Sequence, residues 1–467
     1  MLRIYNTLTK KVDDFVTINK KLATIYTCGP TVYDYPHIGN WFTFIRYDMI
    51  VRTLRLSGYK TKWVMNITDV GHLTSDADEG EDKLEKGAKR EGKTAWEIAD
   101  YYAKYFINGL NKLNIVTPDY IPKATDHIKE QIELIQKLYE LGYAYKIDDG
   151  IYYDTSEFDG YAAFANLDLD DQKINGRIEL NSQKRNSADF ALWKFSPKNH
   201  KRDMEWKSPW GIGFPGWHIE CSAMSMKYLG NTIDIHSGGI DHIPVHHTNE
   251  IAQSEAVTGV RFSNYWMHTN HILINDQKIS KSLGNGITLE NILEHGYSLQ
   301  AFRLHVLESH YRTQSKFSWD SLEAAQNRLN SYKKTADLIW QPKNVKSIGA
   351  DKFTDLINDI TQKLQDDINT PKVLAIINAF FDLINDNLLS SNDIKHFDTL
   401  LKFINDALGI RLNSDDISQT QKHHISQRQQ AREKHDWRVS DEIRDILLDQ
   451  GISIKDTDHG PIWSKIS

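Results

Sequence analysis

The sequence predicts an α/β protein. A parallel sheet interrupted by an insertion comes first, then a helical bundle and a small mixed C-terminal domain. Three observations carry this. Residues 22–27 (Leu-Ala-Thr-Ile-Tyr-Thr) form an apolar, β-branched run that stops at the turn signal Cys28-Gly29-Pro30. Residues 41–56 carry helical spacing, and residues 61–67 are again extended. The strand–helix–strand rhythm then returns more than 160 residues later, from Thr232 onward.

The first unit is a βαβ unit. Ile45, Met49 and Thr53 recur every four residues in the predicted helix, and Gly58 follows as its stop. Such a unit implies parallel strands joined by a right-handed crossover. Ligands of such sheets bind beyond the carboxyl ends of the strands. Cys28, His37 and Thr68 all fall there.

Residues 126–206 break the rhythm. A helix over 128–141 leads into short Tyr- and Asp-rich segments such as Gly150-Ile151-Tyr152-Tyr153-Asp154, which read as an insertion between two halves of the sheet. The pattern resumes with a strand over 232–236 ending at Gly238-Gly239, a helix over 246–257 and a strand over 265–274. Lys278-Ile279-Ser280-Lys281-Ser282 follows as a loop. From about Ser318 the chain is helical, with spaced apolar positions over 353–365 and 371–387. The last stretch is mixed and carries Arg428, Arg432, Trp437 and Arg444. The expected boundaries are 1–125, 126–206, 207–275, 276–317, 318–412 and 413–467.

Composition sets broad limits. The 467 residues are enough for several domains, and 40% apolar with 25% charged residues is ordinary for a globular chain. A net charge of -7 argues against indiscriminate coating of nucleic acid but leaves room for a local basic face. Neither a signal peptide nor an apolar run of the roughly 18–20 residues needed to span a bilayer is visible, so the expected compartment is the cytosol and no membrane partner is expected.

The chain has two cysteines, Cys28 and Cys221. His246 and Glu250 are four residues apart on a predicted helix, one turn apart on one face. Two thiolates, an imidazole and a carboxylate make a tetrahedral zinc set. The spacing fits no zinc-finger pattern, and His218, His236, His242 and His247 crowd the same segments as neighbours or rival ligands.

Read together, these residues resemble cysteinyl-tRNA synthetase, a class I aminoacyl-tRNA synthetase. His37-Ile38-Gly39-Asn40 and Lys278-Ile279-Ser280-Lys281-Ser282 are similar to the His-Ile-Gly-His and Lys-Met-Ser-Lys-Ser motifs of that class. The resemblance covers essentially the whole chain. It runs through Met1-Leu2-Arg3-Ile4-Tyr5-Asn6-Thr7-Leu8-Thr9, Tyr26-Thr27-Cys28-Gly29-Pro30-Thr31-Val32-Tyr33, residues 215–224, residues 246–254 and Ala431-Arg432-Glu433-Lys434-His435-Asp436-Trp437. Phe214, Ser237 and Thr248 depart from the usual Arg, Gly and Glu, and Gly460-Pro461-Ile462-Trp463-Ser464 from the usual ending.

The resemblance implies a Rossmann-like catalytic domain, an anticodon-binding C-terminal domain and a two-step ligation. Cysteine and ATP would give cysteinyl-adenylate, and cysteine would pass to the terminal adenosine of tRNA(Cys). Pro36, His37, Gly39, Asn40, Lys278, Ser280, Lys281 and Ser282 would bind ATP, with His37, Asn40 and the two lysines stabilising the reacting phosphates. Mg²⁺ would accompany the ATP. Zinc, one ion per chain, would sit on Cys28, Cys221, His246 and Glu250; the family pattern selects His246 over His247. The substrate sulfur would join the metal, where size alone would separate cysteine from serine by only ~1–3 kcal/mol. Gly29, Thr31, Thr68, Trp217 and Asp234 would contact cysteine. Arg428, Arg432 and Trp437 would contact tRNA, and a monomer is expected. Two rivals share parts of the pattern: a cysteine ligase that acts on an amino sugar, and a non-catalytic zinc-containing RNA-binding paralogue.

Overall fold

The structure is a computed structural model that describes residues 1–71, 82–165, 182–197, 201–274, 277–278 and 286–466. It separates into two compact units, Met1–Leu289 with Tyr311–Ser315, and Glu290–His310 with Lys316–Ser467.

The first unit opens with the antiparallel hairpin β1 (Arg3–Asn6) and β2 (Lys11–Asp14), then β3 (Leu22–Thr27), α1 (Ile38–Leu56) and β4 (Lys60–Met65). Helices α2 (Lys83–Glu91), α3 (Ala95–Lys112) and α4 (Ile128–Glu140) follow. The predicted β3 is found over the residues expected. It is buried on both faces, which is why its sequence is a run and not an alternation. Helix α1 starts at Ile38, three residues before the expected Trp41. The Asn40 side-chain oxygen accepts from the His37 amide at 3.1 Å and closes the first turn. Ile45, Met49 and Thr53 are buried as their spacing implies, and the helix is buried nearly all round. Its charged residues are compensated. Arg52 pairs with Asp48 at 2.6 Å, and Arg46 donates to the Asn270 carbonyl and the Ser315 hydroxyl.

The insertion is a five-stranded antiparallel sheet. It comprises β5 (Ala144–Ile147), β6 (Gly150–Tyr153), β7 (Phe190–Phe195), β8 (Trp206–Ser208) and β9 (Gly211–Pro215), in the order β5-β6-β7-β9-β8. It therefore extends to Pro215, past the expected boundary at 206. Strand β9 pairs with β7, Phe214 opposite Lys194.

After α5 (Trp217–Leu229) come β10 (Ile233–Gly239), a π-helical turn over Ile243–His247, α6 (Thr248–Thr258) and β11 (Ser263–Thr269). Strands β11, β10, β3 and β4 form one sheet in that order, every neighbouring pair parallel. Strand β10 ends at Gly238-Gly239, as the glycines suggested. A Cβ on Gly238 would sit 2.4 Å from the His247 ring, so the strand passes a histidine that leaves no room for a side chain. The single strand expected over 265–274 is two, β11 and β12 (Ile272–Ile274). The chain leaves the sheet at Asn270, whose amide bonds the distant Tyr311 carbonyl at 2.9 Å. Strand β12 pairs antiparallel with β13 (Gln277–Lys278).

The second unit is helical: α7 (Leu299–Leu307), α8 (Trp319–Ala336), α9 (Ala350–Gln365), α10 (Thr370–Asn387), α11 (Ile394–Leu408), α12 (Gln419–Glu433) and α13 (Trp437–Asp449), ending in the antiparallel hairpin β14 (Ile452–Lys455) and β15 (Ile462–Lys465). The expected separate domains 318–412 and 413–467 lie in this one unit. The last segment has its own small core of Ile417, Ile443, Leu447, Ile452 and Trp463. Gln341 ties it down through both backbone groups of Trp463 at 2.7 and 2.8 Å, and Asp337 through the Lys465 amide.

Candidate active site and metal centre

From β3 the chain runs by α1 to β4 on one side; from β10 it runs by α6 to β11 on the other. Strands β3 and β10 are neighbours, so the sheet reverses its winding between them. Beyond the carboxyl ends of that pair, such sheets leave a crevice. A cavity of about 280 Å³ lies there. Its lining comes from both strand ends. Cys28, Gly29 and Thr31 follow β3, Thr68 follows β4, and Gly239, Asp241 and His242 close β10. His37, Gly39 and Asn40, at the start of α1, face the same space, as do Trp217, Cys221 and His246. A helix N-terminus presents unpaired amides and positive potential, which suits phosphate.

Cys28, Cys221, His246 and Glu250 each offer a donor atom, and these atoms all lie within 4.8 Å of one another. Three elements bring them together: the end of β3, the first turn and a half of α5, and the π turn continuing into α6. The Nε2 of His246 is 2.6 Å from Oε1 of Glu250, yet that oxygen has no hydrogen-bond partner of proper alignment. Tetrahedral zinc with nitrogen and sulfur ligands needs donors about 3.3–3.8 Å apart, which the cluster reaches with small adjustments. The residues therefore fit a metal ion. A second set, Cys28, His236, His247 and Glu250, is equally compact. Only the first set has three members lining the cavity, so a metal there would face a ligand.

Neighbouring groups orient these donors. His246 meets His218 at 2.9 Å through their Nδ1 atoms, and Oε2 of Glu250 meets Nε2 of His236 at 2.5 Å. Burial pushes the Cys28 thiol well up, and adjacent Cys221 adds to the shift. The hydrogen bond from Cys28 pulls Cys221 down. Burial opposes charge on His246, but Glu250 and Cys221 outweigh it and carry the imidazole up to about 10. Burial likewise opposes charge on Glu250, and His236 and His246 override it to hold the carboxylate below its usual range. The pocket thus gathers negative charge balanced by protons, which a cation can displace.

The other expected residues divide. Gly29, Thr31, Thr68 and Trp217 line the cavity together. Thr68 bridges to Thr31, and the Trp217 ring lies 4.6 Å from that of His246. Gly29 is required by packing, because a Cβ there would meet the Asn66 carbonyl oxygen at 1.6 Å. Pro36 does not line the cavity; it is buried and its carbonyl accepts from the Trp41 indole at 3.2 Å. Asp234 is a correction. It is wholly buried inside β10, and its oxygens are taken by the Ile18 amide and by Thr24. Arg428 is another. It is 3% exposed and makes a two-pronged pair with Asp456 at 2.7 and 2.9 Å, so it serves the fold. Arg432 and Trp437 remain accessible, the guanidinium 5.4 Å over the indole. Lys278 is placed by the pairing of its backbone with Leu273 in β12. Ser280, Lys281 and Ser282 lie outside the described residues.

The three departures are absorbed structurally. Phe214 is buried under the Arg202 guanidinium, 3.4 Å from its ring centroid. Ser237 donates to the Met267 carbonyl and Thr248 to that of Ile243. Sequence reading missed Asp241, the sole carboxylate among the described residues that line the cavity. Its signal was available: an acid two residues past a Gly-Gly strand end.

The family description "tRNA synthetases class I (C) catalytic domain" matches residues 14–327 and defines the class. In the solved structures, methionyl-tRNA synthetase of Mycobacterium tuberculosis in complex with methionyl-adenylate has a TM-score of 0.58 at 14% identity, over 83% of this chain and 92% of that one, a likeness of fold. A cysteine–tRNA ligase of Treponema denticola is 42% identical over the full length of both chains. Cysteine–tRNA ligase 1 of Burkholderia lata is 43% identical over 98% of this chain and 96% of its own. The chain belongs to the cysteine–tRNA ligase family. Among the described residues no helix is long and apolar enough to cross a membrane.

Proposed function

We propose that the chain activates L-cysteine with ATP, releasing pyrophosphate, and transfers it from the adenylate to the 3′-terminal adenosine of tRNA(Cys). One observation carries this reading: a single cavity has a cluster of sulfur, imidazole and carboxylate donors at one wall and the start of α1 at another. Zinc held by Cys28, Cys221, His246 and Glu250 would supply a soft Lewis acid that prefers a thiolate to a hydroxyl.

The chain's own residues do the rest. Trp217 and Thr68 wall the space beside the donor cluster. Asp241 supplies the negative charge that an amino acid's ammonium needs. With the ammonium and sulfur held, the carboxylate points away, toward His37 and Asn40. It attacks the α-phosphorus of ATP in line, and the bond to pyrophosphate breaks. The positive end of α1 would meet the phosphate charge, with Mg²⁺ accompanying the nucleotide and Lys278 and Lys281 adding positive charge. Proximity and charge stabilisation account for the rate, with no covalent enzyme intermediate. Arg432 and Trp437 offer tRNA a cation and a stacking face.

The test is cysteine-dependent ATP–pyrophosphate exchange, followed by charging of tRNA(Cys), run beside serine. Exchange with cysteine, at least about a hundredfold over serine, is expected, since more than a size difference is at work. Exchange that ignores cysteine would sink the reading.

A further inference from the structure

The thiol of Cys28 has a polar neighbour outside the ligand set, and that neighbour starts a chain. The Sγ of Cys28 lies 3.5 Å from Nε2 of His247. The Nδ1 of His247 lies 2.8 Å from Nε2 of His268, and Nδ1 of His268 lies 2.7 Å from the hydroxyl of Thr7. Four residues from four separate segments make three consecutive contacts, and both rings are nine-tenths or more buried. Neither ring lines the cavity.

The end group sets the direction. A metal-bound thiolate only accepts, so His247 must donate from Nε2. A neutral imidazole then offers Nδ1 as acceptor alone, so His268 must donate from its own Nε2. Its Nδ1 in turn accepts, and the Thr7 hydroxyl donates to it. Every ring nitrogen is used, and no tautomer is left to choice. The far end is fixed as well, because the Thr7 amide donates to the Trp266 carbonyl at 2.8 Å. His247 has no other place to turn. Gly238 passes so close to its ring that even a methyl group would collide.

We propose that Thr7, His268 and His247 are positioning residues that act in sequence as a one-way donor chain, holding Cys28 as a metal ligand from the β1–β2 turn. This rests on the zinc reading of the Cys28, Cys221, His246 and Glu250 cluster. A donor aimed at a ligating sulfur fixes its direction and tempers its charge, and removal of such a neighbour typically weakens metal binding about 10–100-fold. Thr7 is half-buried in a turn and remote from the cavity lining, so its hydroxyl can be removed without touching substrate.

The experiment uses full-length, zinc-loaded protein and a colorimetric chelator. Thr7→Val and Thr7→Ala should release zinc about 10–100 times faster than wild type, whereas Thr7→Ser should match it. Long-range proton–nitrogen NMR of labelled histidines should show Nε2–H tautomers on both rings in wild type and Thr7→Ser, and mixed tautomers in Thr7→Val. A structural role for Thr7 would move the melting temperature but not the tautomers. Zinc content separates the two readings, with Cys221→Ser as the comparison expected to lose the ion. A wild-type chain without zinc overturns the metal centre and the donor chain with it. A wild type that holds zinc, with release unchanged in Thr7→Val and Thr7→Ala, overturns the donor chain alone.

Discussion

Thr24 and Asp234 grip one another across the central strand pair through three hydrogen bonds. The Asp234 carboxylate accepts from the Thr24 amide and hydroxyl at 2.8 Å each, and the Thr24 hydroxyl accepts from the Asp234 amide at 2.9 Å. The clamp pins the two halves of the sheet in register beneath the cavity. Asp234→Asn should cost about 2–3 kcal/mol, since buried bonds to a charged acceptor are weakened and one donor is left orphaned. Urea denaturation measures that loss, and KM for cysteine should stay put. Normal stability with a raised KM would return Asp234 to the substrate pocket.

Asp241 is the residue expected to carry that substrate effect. Asp241→Asn keeps the shape and removes the charge facing an ammonium group. Loss of one charge-assisted contact is worth about 1.5–3 kcal/mol, so KM for cysteine in pyrophosphate exchange should rise about 10–100-fold while KM for ATP holds. An equal rise in both constants would argue for a general distortion.

Arg428 and Asp456 make the firmest pair in the C-terminal segment. The Arg428 side chain is 4% exposed and that of Asp456 39%. Asp456→Ala strands a buried guanidinium, a loss of about 3–5 kcal/mol when both partners are buried and about half that with one partner in water. The melting temperature should drop, and tRNA affinity should fall only as far as unfolding requires. Arg432→Ala should do the reverse, weakening tRNA binding in a filter assay with little thermal effect. Equal melting temperatures for Asp456→Ala and wild type would contradict the assigned role of Arg428.

Asp69 gives a pH signature. Burial raises its carboxyl to about 6, against two bonds from Thr125 that favour the ion. An unfolded Asp titrates near 3.9. Between these values the folded chain keeps a proton that the unfolded chain has lost. This group's contribution to stability is therefore fully present below about pH 4 and is lost as the pH rises through about 6, a change of at most about 3 kcal/mol. Asp69→Asn should flatten that segment of the stability curve in urea titrations from pH 4 to 7. A curve of unchanged slope would place the titration elsewhere.

The sequence made the strands and helices of the first unit legible because burial there is all-or-none. An apolar run such as residues 22–27 has no alternative to a covered parallel strand. The same two-sided burial is what hid the role of Asp234. In a half-exposed strand it would have faced solvent, and only the neighbouring strand supplies Thr24. Cys28, Cys221, His246 and Glu250 could be gathered as a set from their chemistry, but the choice between His246 and His247 depends on which ring faces the cavity. That is a property of the π turn, where one extra residue per turn re-aims both rings. Arg428 looked like a phosphate contact because its partner, Asp456, lies beyond a helix and a turn. Asp241 lay just outside every motif. The break at Asn270 was invisible because Tyr311, which causes it, is forty-one residues away.

The sheet order has a consequence in time. Strands β3 and β4 pair with each other, but the opposite edge of β3 belongs to β10, which begins at Ile233. At 5–20 residues per second, roughly ten to forty seconds of synthesis separate Cys28 from that partner. For this interval the nascent chain carries an open strand edge with a lone thiol at its tip. Docking of β10 closes the edge and delivers the remaining donors almost at once, so the centre is born complete or not at all. An arrested or truncated product ending before Glu250 would display both an unpaired edge and a bare cysteine, the combination that chaperones and proteases read as unfinished.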